Sequence, residues 1–136
     1  MEQPKKPKIV TRVIDYEYKF DRDSGGVNYT AFYRHKDIEN GSYSVCCIDD
    51  FKSNKEIYDF SDKYILSNPP AIARADLKVK EVEKIIFQNF KLKVVYAPTK
   101  NNNYHYNIEN VPTTPQSAKI LATILADISN LNIRNP

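Results

Sequence analysis

The chain contains two histidines, and each lies beside residues that could take part in chemistry with it. His35 directly follows Arg34, and His105 lies among the amides and tyrosines of residues 101–110. Two imidazoles and a nearby cation can cleave a phosphodiester without a metal. One takes the proton from a 2′-hydroxyl, the other protonates the leaving oxygen, and the cation stabilises the developing negative charge. The sequence therefore permits a nuclease-like enzyme in which His105, His35 and Arg34 are candidate catalytic residues. The alternative is that His35 is a surface residue of a strand and His105 a hydrogen-bonded residue of an edge strand.

The tyrosines around His105 allow a second interpretation. Tyr104 and Tyr106 share one face of a predicted strand, with His105 on the other face, and Tyr96 and Lys100 lie nearby in the chain. Aromatic residues that alternate on a sheet beside basic residues are typical of proteins that stack the bases of single-stranded nucleic acid. The alternative is that these tyrosines are half-buried packing residues with a hydrated hydroxyl.

The same segment also suits recognition of a protein, and this is the function that the sequence favours. Loops that contain tyrosines and amides adapt well to a protein surface, and loop-to-strand junctions carry binding groups more often than core strands do. We predict a small binding or accessory protein that engages a protein partner through residues 96–108 and the nearby basic surface. The predicted binding residues are Tyr96, Lys100, Asn101, Asn103, Tyr104 and Tyr106.

Several common kinds of site are excluded by residue spacing. The three glycines do not form a phosphate-binding loop, and the histidines and cysteines lack the spacing of a structural zinc site. The run at residues 21–26 starts like a calcium loop, but Gly25 and Phe32 stand where an EF-hand needs oxygen ligands. We therefore predict neither a metal nor a cofactor. The adjacent Cys46 and Cys47 are expected to be buried thiols, with a vicinal redox pair as the alternative.

The composition indicates one soluble, globular domain. A chain of 136 residues is long enough to bury a single core, and no apolar run approaches the roughly 20 residues that span a bilayer. The amino-terminal residues lack the apolar segment of a secretory signal, so we predict a cytoplasmic protein without a membrane partner. Residues 1–68 carry 11 Lys and Arg against 12 Asp and Glu, whereas residues 69–136 carry 9 against 5. The basic second half could face nucleic acid or an acidic partner.

An antiparallel sheet is predicted to position the candidate site residues. Strict alternation from residue 10 to residue 20 indicates a first strand that buries Ile14, Tyr16, Tyr18 and Phe20 on one face. Residues 27–35 and 42–48 follow as second and third strands, joined by Asn40-Gly41, a dipeptide typical of tight hairpins. We expect the three strands to form a meander.

The second half of the chain alternates helices with short strands. Residues 49–67 indicate a short helix or irregular cover, residues 71–77 a short strand, and residues 79–90 a helix with an apolar stripe. Residues 92–96 and 104–108 are two further short strands. Thr114 and Pro115 begin a C-terminal helix whose apolar spacing continues to Leu131. We therefore predict one α+β domain at residues 9–136, with the C-terminal helix and the helix at 79–90 covering the sheet, after a disordered basic leader at residues 1–8.

Short motifs along the chain resemble a family of short, uncharacterised bacterial proteins. Residues 32–34, 44–45, 71–73 and 78–82 carry the first motifs, and residues 92–95 followed by Pro98, Asn103, His105 and Ile108 carry the last. The extended N-terminal strand and the asparagine insertion depart from the family pattern. The family carries no activity to transfer, so the resemblance implies a bacterial context and singles out Arg34, Asn103 and His105. Abundant Lys, Asn and Ile without Trp also suggest AT-rich bacterial or phage coding.

Overall fold

The computed structural model describes residues 6–135, which fold around a six-stranded sheet. The strands in this range are β1 (Ile9–Ile14), β2 (Phe20–Asp21), β3 (Gly26–Val27), β4 (Ser42–Cys47), β5 (Ala73–Lys78), β6 (Ile86–Phe87), β7 (Phe90–Lys91), β8 (Lys93–Tyr96), β9 (His105–Glu109) and β10 (Asn130–Ile133). The helices are α1 (His35–Asn40), α2 (Asn54–Tyr64), α3 (Val79–Val82) and α4 (Pro115–Ile128), and short 3-10 turns occupy Glu17–Lys19 and Tyr29–Ala31.

The large sheet has the strand order β10-β5-β1-β4-β9-β8, and every neighbouring pair is antiparallel. The pairs β2–β3 and β6–β7 form two small separate hairpins. This is an α+β domain, as the sequence predicts. The predicted C-terminal helix is present as α4, and β4, β5, β8 and β9 lie close to their predicted positions.

One face of the sheet holds the main hydrophobic core. On this face β1 places Val10 and Ile14 beside Leu77 and Ala73 of β5, and all four are buried. α4 packs here because its apolar residues recur at helical spacing and form one stripe. The buried residues of α4 are Ala118, Leu121, Ala122, Leu125 and Ala126.

The opposite face is polar and is partly covered by α2. The strand register aligns Thr11, Cys46 and His105 side by side across three strands on this face. α2 is attached here through polar contacts: the hydroxyl of Tyr58 donates to the carbonyl oxygen of Asn132 at 2.9 Å. The face covered by α2 therefore carries hydrogen-bonding side chains, whereas the face covered by α4 carries aliphatic side chains.

The predicted three-strand meander is wrong. β1 ends at Ile14, and residues 27–35 form the end of β3, a 3-10 turn and the start of α1. The side chain of Asn28 accepts the N–H of Thr30 at 3.0 Å, which starts the turn and ends the extended backbone. Gly41 then terminates α1 in the left-handed region, with a φ of +67°. Asn40-Gly41 is therefore the end of a helix and not a hairpin turn.

The helix predicted at residues 79–90 is also wrong beyond its first turn. α3 contains four residues, and β6 and β7 follow as a tight hairpin. The two turn residues, Gln88 and Asn89, have positive φ values of 51° and 70°. Such backbone angles suit a two-residue hairpin turn and are incompatible with a right-handed helix. Ile86 and Phe90, which continue the apolar spacing of α3, are exposed.

α4 begins where the sequence predicts and ends earlier. Thr114 is its N-cap residue and Pro115 its first residue. The helix stops at Ile128 because Ser129 is extended, with φ −80° and ψ 157°. Leu131 lies in β10 and pairs with Ala75 of β5. The sequence does not indicate this strand, because Leu131 also fits the apolar spacing of the helix before it.

The predicted leader at residues 1–8 lies partly outside the described residues, which begin at Lys6. From Lys6 onward the chain contacts the domain. Pro7 is buried, the backbone N–H of Lys8 donates to Asp49 Oδ2 at 2.8 Å, and Lys6 forms an ion pair with Glu83. These contacts hold the described part of the segment against the body of the protein.

Arg12 lies at the centre of the sheet, where the pairing of β1 with β4 ends. β1 and β4 pair at two positions only, Val10 with Cys47 and Thr11 with Cys46. Beyond these positions the two strands separate, and the buried guanidinium of Arg12 bridges the elements on either side. Its Nε donates to the carbonyl oxygen of Ala31 at 3.1 Å and its Nη1 to that of Ser44 at 2.8 Å, while Nη2 pairs with the buried carboxylate of Asp37. A charged side chain thus takes the place of backbone pairing at this point.

We predict that Arg12→Ala lowers the free energy of unfolding by about 3–5 kcal/mol, because it leaves Asp37 as an unpaired, buried carboxylate. Urea unfolding followed by circular dichroism measures this loss. Arg22→Ala is the matched control, since Arg22 pairs with Glu17 on the exposed surface; its unfolding midpoint should remain that of the wild type. An equal loss of stability in both variants would contradict the role assigned to Arg12.

Candidate functional site

A cleft of about 240 Å³ opens where β1 and β4 separate. Its walls come from β1 and the turn that follows, from β4 and β9, and from the residues just after α2. Apolar side chains such as Ile65 and Leu66 form one part of the lining. The charged, amide, imidazole and thiol groups in the lining are Arg12, Asp15, Lys19, Arg34, Cys46, Asn102 and His105.

His105 is fixed in orientation by the strand and loop around it. It lies directly opposite Cys46 of β4, so the two side chains share the polar face of the sheet. Its Nδ1 is 2.7 Å from the carbonyl oxygen of Ala97. A carbonyl oxygen only accepts hydrogen bonds, so Nδ1 carries the hydrogen and Nε2 holds the lone pair of the neutral ring. His105 therefore supplies a hydrogen-bond acceptor or base at Nε2.

Asn102 is the buried member of the asparagine run. The loop between β8 and β9 folds back through two backbone hydrogen bonds between Thr99 and Asn102, of 3.0 and 3.3 Å. The Asn102 side chain then accepts the N–H of Tyr104 at 2.8 Å. The predicted binding residues Asn101 and Asn103 are exposed, whereas Asn102, which the sequence does not single out, is the one that lines the cleft. Because the three asparagines are identical and consecutive, the sequence does not indicate which of them is buried.

The structure brings Arg34 and His105 to the same cleft and leaves His35 outside its lining. Arg34 is the exposed residue that precedes α1. It has no ion-pair partner within residues 6–135. His35 is the first residue of α1 and is exposed to solvent. The two candidate histidines are therefore not placed to act on one group in the cleft.

The predicted binding tyrosines pack largely within the domain. Tyr106 is 5% exposed, and its ring centroid lies 5.1 Å from that of Tyr96. Tyr104 packs against Phe51 and Phe60, with centroid distances of 5.0 and 5.4 Å. Tyr104 and Tyr106 do not form the open stacking surface that their spacing suggests, because Tyr106 faces the core. The predicted binding residues that remain exposed are Lys100, Asn101 and Asn103.

A separate basic surface surrounds α3. Six lysines line a shallow groove there, together with one carboxylate, Glu83. Glu83 pairs with Lys6 and accepts the N–H of Val94 at 3.0 Å. The six residues are Lys6, Lys8, Lys78, Lys80, Lys84 and Lys91. This surface shares no lining residue with the cleft, so much of the basic charge of the chain lies away from His105.

Cys46 and Cys47 are free thiols and both are buried, as the sequence predicts. Burial raises the pKa of Cys46 to about 12 and that of Cys47 to about 11. Both groups are therefore protonated at neutral pH, where a thiol is a poor nucleophile. Cys46 contributes a small, neutral group to the cleft wall.

Within residues 6–135, no group of three or more His, Cys, Asp or Glu side chains could hold a metal ion. In the same part of the chain, every helix is too short or too polar to cross a bilayer. Comparison of the chain with protein-family models, curated proteins and solved structures finds no match.

We predict that both thiols of the folded protein resist alkylation. At pH 8, a pKa of about 12 in place of the ordinary 9.0 lowers the thiolate fraction of Cys46 about a thousandfold, and the thiolate is the reactive form. Mass spectrometry of the protein after timed exposure to iodoacetamide measures the rate, with the urea-unfolded protein as the control. Rapid modification of Cys46 in the folded protein would contradict its burial.

Proposed function

We propose that this protein binds a small anionic ligand in the cleft between β1 and β4, with Arg34 and His105 holding the anion. The observation that carries the proposal is that these two residues, from distant parts of the chain, line one cleft. A guanidinium presents several N–H groups in a planar fork, which matches the oxygens of a phosphate or carboxylate.

The charge distribution of the cleft supports an anionic ligand. Two of its three cationic side chains already have carboxylate partners: Lys19 Nζ lies 2.7 Å from Asp15, and Arg12 pairs with Asp37. Arg34 is the cation of the lining that has no carboxylate partner within the described range. Its charge is therefore available to a ligand.

His105 adds a directional contact to this charge. Because Nδ1 is occupied by the carbonyl oxygen of Ala97, the ring faces its ligand through Nε2. Nε2 accepts a hydrogen bond from a hydroxyl or a protonated phosphate oxygen when the ring is neutral, and donates one when the ring is protonated. Asn102 is buried beside it and supports the loop that positions the imidazole.

Binding fits this geometry better than two-histidine nuclease chemistry. That chemistry needs a second acid or base on the opposite side of the scissile bond, and His35 lies outside the cleft lining. The hypothesis of a protein partner at residues 96–108 stays a prediction. The contact would fall on Lys100, Asn101 and Asn103, since Tyr106 is buried in the core.

We predict that inorganic phosphate, added at constant pH, shifts the ring-proton NMR signals of His105 and leaves those of His35 unchanged. Arg34→Gln should weaken phosphate binding about tenfold, because it removes a charge-assisted hydrogen bond. His105→Gln should weaken it as well, since it removes the imidazole that contacts the anion. The titration of NMR signals gives the dissociation constant of each variant.

Matched controls are available beside each residue. Lys36→Gln removes a neighbouring exposed cation, and His35→Gln removes the other imidazole. Both should bind phosphate as the wild type does. If all four variants weaken binding equally, or if phosphate shifts His35 as much as His105, the anion is attracted by general positive charge and the proposal fails.

A further inference from the structure

Two exposed tyrosines are stacked on each other just after β1. Tyr16 and Tyr18 are 47% and 65% exposed, although the sequence pattern assigns them to the buried face of a strand. Their ring centroids are 5.9 Å apart, and the ring planes differ by 14°. Large aromatic side chains are usually buried in a folded domain. Because both tyrosines are exposed, another planar group can reach the pair.

Lys19 connects this tyrosine pair to the cleft. Its Nζ lies 5.7 Å from the ring centroid of Tyr16 and 5.8 Å from that of Tyr18. The same Nζ is 2.7 Å from Asp15, and both Asp15 and Lys19 line the cleft. The two rings are not part of the cleft lining themselves, but through Lys19 they lie next to it.

The cleft is too small to enclose a drug-sized ligand. Its volume of about 240 Å³ is below the range of about 300–1,000 Å³ that encloses a drug-sized molecule. A ligand whose anionic group contacts Arg34 and His105 would place its remaining atoms outside, next to Lys19 and the tyrosines. Those surroundings favour a flat aromatic group over an aliphatic chain.

We infer that the ligand is a nucleotide, with its phosphate on Arg34 and His105 and its base stacked on the pair formed by Tyr16 and Tyr18. The inference rests on the anion site proposed above. Stacking on tyrosine accepts any base, because every base has a flat π-face. The site thus provides an anion-binding end and an aromatic end, and a sugar joins the corresponding two groups in a nucleotide.

Isothermal titration calorimetry with inorganic phosphate and with adenosine 5′-monophosphate tests the inference. The nucleotide should bind at least tenfold more tightly than phosphate. Tyr18→Leu should weaken nucleotide binding by about 5- to 160-fold, the range expected for loss of one stacked base. The same variant should bind phosphate as the wild type does, whereas Arg34→Gln should weaken both probes.

Phe90→Leu is the matched control for Tyr18→Leu. Phe90 is 62% exposed on β7 and lies outside the cleft lining. Because both aromatic side chains are exposed, neither variant should lose its fold, and circular dichroism checks this. Phe90→Leu should leave the affinities for phosphate and nucleotide unchanged.

The outcomes distinguish this inference from the proposed function. If phosphate binds through Arg34 but the nucleotide binds no more tightly, the nucleotide inference is overturned and the anion site stands. The nucleotide inference is also overturned if Tyr18→Leu and Phe90→Leu weaken nucleotide binding equally. If neither phosphate nor nucleotide binds, the inference and the proposed function both fail.

Discussion

The buried guanidinium of Arg12 is the interaction on which the arrangement of the site depends. It links β1 to the carbonyl oxygens of Ala31 and Ser44 and to the carboxylate of Asp37. Arg34 lies between Ala31 and Asp37 in the chain, so both ends of the segment that carries it are attached to β1. A buried ion pair recovers its desolvation cost only with close, well-directed partners, which favours one arrangement of these elements. The cleft lies beside this side chain, which is part of its lining, where the pairing of β1 with β4 ends.

The fold could be predicted from the sequence wherever hydropathy and local geometry agree. α4 has a proline at its first position and a continuous apolar stripe, and β4 and β9 combine alternation with β-branched or aromatic residues. The errors occur where a local contact overrides the pattern. The side chain of Asn28 starts a turn inside an apparent strand, and Gln88 and Asn89 take left-handed angles inside an apparent helix. Hydropathy spacing carries no information about either event.

The candidate site was accessible to sequence analysis in part. Arg34 and His105 could be selected from residue type alone, since a cation and an imidazole are chemically distinctive. Their presence in one cleft depends on the separation of β1 from β4, which requires knowledge of the long-range strand order. Asp15 and Lys19 cannot be selected from the sequence, because the hydropathy pattern continues the first strand through them, whereas the chain turns there. The sequence pattern predicts that Tyr18 is buried and that Tyr106 binds a partner, whereas Tyr18 is exposed and Tyr106 is buried. Strand register and strand length decide which ring is buried, and residue type does not.

The strand order also has a consequence for how the chain folds during its synthesis. β1 lies between β4 and β5, and its full-length pairing is with β5, from Ile9 with Lys78 to Ile14 with Ala73. A ribosome releases the chain in sequence order, so β1 emerges well before its principal neighbour exists. Pairing between such distant segments is slow, because a long loop has to close before the contacts form. Val10 and Ile14, which end in the core, therefore gain their paired strand only after residue 78 has emerged and their covering helix only after α4 has emerged, and the nascent chain is open to aggregation until then.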